Sequence, residues 1–218
     1  MKTDVLIKAA DKSQSDEIAR LIMMAMTDEC CLHFCGVGYG LDDFRNMMTA
    51  LVEHEDSQYS YRNTLVAMVD SHVVGIAVSY DGDRLHELRN VFIEHAKRMI
   101  GKDHTGMDDE TQAGELYLDS LAVLPAYRRR GIAHQLLEAT QERASKLNLP
   151  CVGLLVDKGN PMAETLYKKF GFHYVNDCMW GGHEMRRLRV NKLKVENCRA
   201  RAFWAKAKIE SCKLRLNE

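Results

Sequence analysis

Residues Glu115 to Asn148 read ELYLDSLAVLPAYRRRGIAHQLLEATQERASKLN, and the pattern changes partway through. Glu115 to Leu124 is apolar at nearly every position, as in a central strand covered on both faces. From Gly131 onward the residues form an amphipathic helix. Between strand and helix stand Arg128, Arg129 and Arg130, set directly against Gly131. A helix N-terminus presents backbone N–H groups without internal partners, and the helix dipole adds partial positive charge there. Gly131 removes the Cβ that would keep a ligand away from those amides, Ala133 is the next smallest choice, and the arginines raise the local potential. The stretch therefore predicts a site for a phosphate or pyrophosphate. A nucleotide-triphosphate loop would need Lys followed by Ser or Thr, and a dinucleotide fold would need three glycines with a later acidic residue; neither is present.

Working outward, Val5 to Ala10 reads as a strand, Asp11 to Met26 as a helix, and Leu41 to Val52 as a second helix. TLVAMVD and HVVGIAVSYDG form an antiparallel hairpin turning at Asp70 and Ser71. Residues 81–114 hold a helix over Arg84 to Ile100 and then a Gly- and Asp-rich loop, either a solvated connection or a lid or wall of an acceptor site. Cys151 to Asp157 is a strand. NPMAETLYKKFGF is a helix with Asn160 as N-cap, Pro161 at its first position and Gly171 ending it. A last pair of strands covers Phe172 to Asn176 and His183 to Leu188. The order predicts an α/β (α+β mixed) domain over residues 1–189, with a mixed, mostly antiparallel sheet of six to seven strands flanked by helices on both faces.

Arg128-x-x-Gly131-x-Ala133 after LAVLPAY, together with LLVDKGNPMAETLYKKFGF, resembles the two signatures of the GNAT superfamily of acyl-CoA-dependent N-acetyltransferases. The resemblance is specific over about Glu115 to Val175 and extends by element order from Val5 to Leu188. It implies a splay between the two central parallel strands, with acetyl-CoA as cosubstrate. The amides of Arg128, Arg129, Arg130, Gly131, Ile132 and Ala133 would hold its pyrophosphate. Its pantetheine arm would pair with the strand edge at Leu121 to Val123, Asn160 would bond the arm from the other side, and a backbone N–H at Leu121 or Val123 would polarise the thioester. Tyr167 is then the general acid for the departing thiolate, since a phenol is protonated at neutral pH.

The general base stays open between Asp119 and Glu115, with His86 and Glu87 further out. A carboxylate in an apolar strand is unusual, and strict alternation places Tyr117, Asp119 and Leu121 on one face, with Leu116, Leu118 and Ser120 on the other. The expected activity is acetyl transfer to a primary amine of a small molecule or peptide by direct attack; the rival is a non-catalytic acyl-CoA sensor or interaction module.

Composition narrows the class. Charged residues are 28% and hydrophobic ones 46% of 218, which excludes wholesale disorder. The longest apolar run, Leu21 to Met26, is too short to span a bilayer and the start is polar, so a cytoplasmic location without membrane contact is expected. Seven cysteines, unevenly spaced, suit a reducing compartment. CCLHFC with His33 invites a metal reading, but no second ligand cluster accompanies it, so none is expected. From Arg186 to Glu218, 11 Lys and Arg stand against 3 Asp and Glu, and residues 190–218 read as a basic helical tail. The tail either docks on its own domain through Trp204 or meets an acidic partner, RNA, or the acidic body of a second copy in a homodimer. No nucleic-acid-binding fold accompanies it.

Overall fold

The computed structural model describes residues 4–191. The hairpin forms where its turn chemistry places it: β2 (Thr64–Val69) and β3 (His72–Asp81) are joined by Asp70 and Ser71, with φ of 47° and 66°. Two positive φ values give the twist that a right-handed pair of strands accepts. The remaining strands are β1 (Leu6–Ala9), β4 (Leu116–Val123), β5 (Cys151–Asp157), β6 (His173–Trp180) and β7 (His183–Asn191). They make one seven-stranded sheet in the order β1-β2-β3-β4-β5-β7-β6, antiparallel except at β4–β5.

Helices cover both faces. On one side lie α1 (Ser15–Met26), α2 (Asp28–Phe34), α3 (Leu41–Glu53) and α4 (Leu85–Met99), whose Ile18, Phe34, Met47 and Phe92 pack with Ile76, Val78 and Ala122 of the sheet. On the other lie α5 (Ile132–Lys146) and α6 (Pro161–Phe170), where Leu136 and Leu137 pack with Leu116, Leu118 and Val152. Burying these side chains from both faces is the main source of stability.

Four local expectations change. Asp11 to Gln14 is a capped 3-10 turn rather than the first turn of α1. The cysteine-rich stretch contains α2, where the sequence pattern indicates no helix. β6 extends to Trp180, and β7 runs to Asn191, into the stretch read as tail; the remainder of that tail, residues 192–218, lies outside the described residues. In β4, Val78 faces Ser120 and Ser79 faces Leu118, so Asp119 is an extra residue in a β-bulge. The bulge resets the alternation: Leu121 packs with Leu116 and Leu118 rather than on the face of Tyr117.

At the start of β4, Glu115 is 0% exposed. It accepts hydrogen bonds from Thr111 Oγ1, Arg187 Nη1 and Arg189 Nε, each at 2.8 Å. This carboxylate ties β4 to β7 across β5. Gly153 of β5 makes the space, because a Cβ there would sit 2.2 Å from Glu115 Oε2. Glu115→Ala is expected to leave a buried guanidinium uncompensated and cost about 3–5 kcal/mol, lowering Tm by on the order of 10 °C in thermal unfolding. A Tm within a degree of the parent would show that this tie does not hold the strands.

Candidate functional site

The parallel ladder between β4 and β5 has only two pairs, Leu116↔Val152 and Tyr117↔Gly153. Beyond them β5 pairs with β7 as far as Asp157, and β4 pairs with β3 as far as Val123, so a gap opens between the two strands. The backbone direction within it follows from one bond: Leu124 N–H donates to Val74 O of β3 at 2.9 Å. Since N–H direction alternates along a strand, Leu121 and Val123 turn their N–H groups into the gap. The Val123 carbonyl points the same way and accepts from Arg128 Nε at 3.0 Å.

At the open end of the gap the chain enters α5 through Arg129 and Gly131, with φ of 60° and 79°. No side chain caps this helix. Among the described residues, the N–H groups from Arg129 to His134 carry no hydrogen bond. A Cβ on Gly131 would meet nothing within 4 Å, so the space before these amides is open. Consecutive unpartnered amides at the positive end of a helix form a cradle that fits a pyrophosphate. Two of the arginines also brace the turn: Arg128 through Val123, and Arg130 by donating to Ala126 O at 3.0 Å with its guanidinium 5.1 Å from the Tyr127 ring centre.

The two faces of the gap carry opposite chemistry. On the α1–α4 side, the bulge holds Asp119 half-buried, its Oδ2 accepting from Ser120 Oγ at 2.8 Å. Burial pushes its carboxyl up to about 7, the Ser120 hydrogen bond opposes this, and the negative charge of Glu110 adds to it. On the α5–α6 side, Tyr167 meets Phe172 edge-on, with centroids 5.5 Å apart. Burial pushes its phenol up to about 12, and its hydroxyl takes no hydrogen bond among the described residues. Asn160 Oδ1 caps α6 by accepting from Ala163 N–H at 3.1 Å, leaving its side-chain NH2 without a partner among the described residues.

Other candidates are placed elsewhere. Glu115 is enclosed by its three donors at the closed end of the gap. His86 and Glu87 lie on the outer surface of α4, paired with Asp109 and Arg84. Cys31 is buried in the core, its thiol pushed up to about 12 by burial. Among the described residues, no three His, Cys, Asp or Glu side chains gather as metal ligands.

The sequence did not announce a cavity of about 190 Å³ lined by His33, Phe34, Lys102, His104, Met107 and Trp180. It joins α2, the loop after α4 and the β6–β7 turn. His104 Nε2 meets Phe34 O at 2.9 Å, and Trp180 Nε1 is buried without a partner among the described residues. The legible trace is a glycine pair: a Cβ on Gly36 would lie 2.7 Å from Gly101 O, and one on Gly101 2.5 Å from Tyr39. A wider cleft of about 570 Å³, lined by Lys8, Gln14, Glu17 and Met68, lies at the β1 edge, away from the gap.

The model of the acetyltransferase (GNAT) family matches residues 40–172. Acetyltransferase Atu2258 of Agrobacterium fabrum is 39% identical over 67 residues, covering 31% of this chain and 47% of that protein, so the chain spans about half of that relative's length. A crystal structure of an acetyltransferase superposes with a TM-score of 0.73 at 26% identity, covering 86% of this chain and 100% of the other. The N-acetyltransferase from Staphylococcus aureus Mu50 does so with a TM-score of 0.71 at 25% identity, covering 85% and 100%.

Asp119 also leaves a mark on stability. Its folded pKa of about 7 lies above the ordinary 3.8, so the native state binds the extra proton and loses stability as pH rises between those values, then levels off. Asp119→Asn removes this loss. The Tm of the variant relative to the parent is expected to climb from pH 5 to 7 and stay flat to pH 8; a pH-independent offset would contradict the raised carboxyl.

Proposed function

The chain belongs to the GNAT family of acetyltransferases, and from that premise we propose that it moves the acetyl group of acetyl-CoA to a primary amine of a small molecule or peptide, by direct attack in a ternary complex. The observation that carries this reading is the gap, with a carboxyl raised to about 7 on one face and, on the other, a phenol that has no partner among the described residues. Acetyl-CoA lays its pyrophosphate on the amides from Arg129 to Ala133, the expected Arg128 amide being taken by Pro125 O at 3.3 Å, and its pantetheine arm along Leu121 to Val123, while Asn160 donates its side-chain NH2 to the arm. An N–H of Leu121 or Val123 polarises the thioester carbonyl.

Asp119, rather than the enclosed Glu115, takes the proton of the incoming ammonium, directly or through one water. The neutral nitrogen attacks the carbonyl carbon, the tetrahedral intermediate collapses with cleavage of the C–S bond as Tyr167 gives its proton to the thiolate, and the second proton shed by the nitrogen restores the Tyr167 phenol while Asp119 returns its own to solvent. A base titrating near 7 suits this task at neutral pH, and a phenol held at about 12 stays protonated until the sulfur needs it. The loop after α4 acts as a wall of the acceptor site, and the transfer domain runs through the end of β7 at Asn191 rather than stopping at 189. A non-catalytic acyl-CoA sensor would need neither proton carrier.

CoA release with a panel of polyamines, amino-acid amides and short peptides tests the assignments. Asp119→Asn is expected to lower kcat about 10²–10³-fold and to abolish the rise in rate toward neutral pH. Tyr167→Phe is expected to lower kcat about tenfold or more, with KM for acetyl-CoA within about twofold. Equal losses of turnover and affinity in the tyrosine variant would remove it as the acid.

A further inference from the structure

Beneath the bulge lies a buried charge cluster whose form stability alone does not explain. Glu110, 2% exposed, pairs with Arg89 of α4, 4% exposed. Arg89 also donates to Asp109 Oδ1 at 3.0 Å, Met107 O at 3.2 Å and Asp108 O at 2.9 Å, gathering the loop around one guanidinium. Glu110 Oε1 accepts from the Tyr80 hydroxyl at 2.7 Å and from Gln58 Nε2 at 3.5 Å, and Arg187 of β7 donates to the Glu110 carbonyl at 3.1 Å. Two polar atoms, Arg89 Nε and Gln58 Oε1, are buried with no partner among the described residues. Replacing a buried ion pair by well-packed apolar side chains is often neutral or stabilising. The cluster is therefore poor value as a mere brace, and its reach toward the gap offers another use.

That reach runs through Tyr80. It pairs across the sheet with Tyr117, their rings edge-on at 5.6 Å, and Tyr117 is the last β4 residue joined to β5 before the gap. Next along β4 comes the bulge with Asp119. The groups facing this carboxylate are the Ser120 hydroxyl, the Tyr59, Tyr80 and Tyr117 phenols, all pushed well above their usual range by burial, and the Glu110 charge. Glu110 is thus the group whose negative charge opposes ionisation of Asp119.

Resting on the reading of Asp119 as base, we propose that Glu110 is a positioning residue for the transfer: held by Arg89, it fixes Tyr80 and hence the Tyr117 end of the β4 bulge, and keeps a second negative charge beside Asp119. The loop after α4 is then a fixed part of the proton-accepting apparatus as well as a wall.

Two variants of the full chain separate charge from bracing. Glu110→Gln keeps an oxygen for Tyr80 but removes the charge. In a carboxyl 13C titration, with the Asp119 signal identified by its loss in Asp119→Asn, the Asp119 midpoint is expected to fall by about one pH unit. An unmoved midpoint overturns the proposal. Tyr80→Phe cuts the link and keeps the charge. It is expected to leave the midpoint in place while lowering kcat about tenfold on an amine from the panel; an unchanged kcat overturns the bracing role, and this variant carries the test should Glu110→Gln fail to fold. Failure of the underlying reading looks different: Asp119→Asn would keep its transfer rate, whatever the midpoint does in Glu110→Gln.

Discussion

Everything at the site depends on where the β4–β5 ladder stops. Two parallel pairs are made and then none, while each strand stays paired on its other side. β5 follows β7 over seven residue pairs, while β4 follows β3 through a bulge that adds local twist. Glu115 pins the closed end, held by two guanidiniums and a threonine hydroxyl against a glycine that leaves it room. The backbone groups freed beyond that point would be costly if buried without a partner. A strand-like ligand would satisfy them, and the open amides before α5 lie at the open end of the gap.

The helical layers make the two sides of this gap chemically unlike. Tyr59 from the connection after α3, Tyr80 of β3 and Tyr117 of β4 set phenols around Asp119, the loop after α4 adds the Glu110 carboxylate, and burial favours the proton there near neutrality. On the other side α6 brings Tyr167 against Phe172 in apolar surroundings that keep the phenol neutral. The carboxylate and the phenol thus lie on opposite faces of the sheet. Each pKa follows from the fold: one carboxylate lifted onto a bulge in a buried strand, one tyrosine on the inward face of a short helix. In this GNAT-family protein the same packing that stabilises the sheet sets both proton affinities.

What was legible in the chain was local chemistry. Asp70 and Ser71 marked the hairpin, Asn160, Pro161 and Gly171 bracketed α6, and the arginine–glycine turn marked a helix start where, among the described residues, the amides from Arg129 onward are unpartnered while that of Arg128 is taken by Pro125 O. Asp119 stood out as a carboxylate in an apolar strand. What was not legible depends on distant partners. The bulge is a matter of register between β3 and β4, so simple alternation misplaced Leu121 and Ser120. Glu115 resembled a candidate base because its arginines lie 72 and 74 residues further along. α2, seven residues long, is too short to declare itself by periodicity and is held by packing of Cys31 and Phe34. The Glu110 cluster was hidden for the same reason: its loop is polar and looks solvated until Arg89 is seen to gather it.

What the gap and its cradle hold decides the function. Isothermal titration of the full chain with acetyl-CoA, beside Gly131→Glu, addresses this directly, since the new side chain would sit at a left-handed position and put negative charge before the open amides. Saturable binding of one acetyl-CoA per chain by the parent, and none by the variant, is the predicted result. No heat with the parent, or equal affinity in the two proteins, would contradict the claim that these amides anchor the acyl donor.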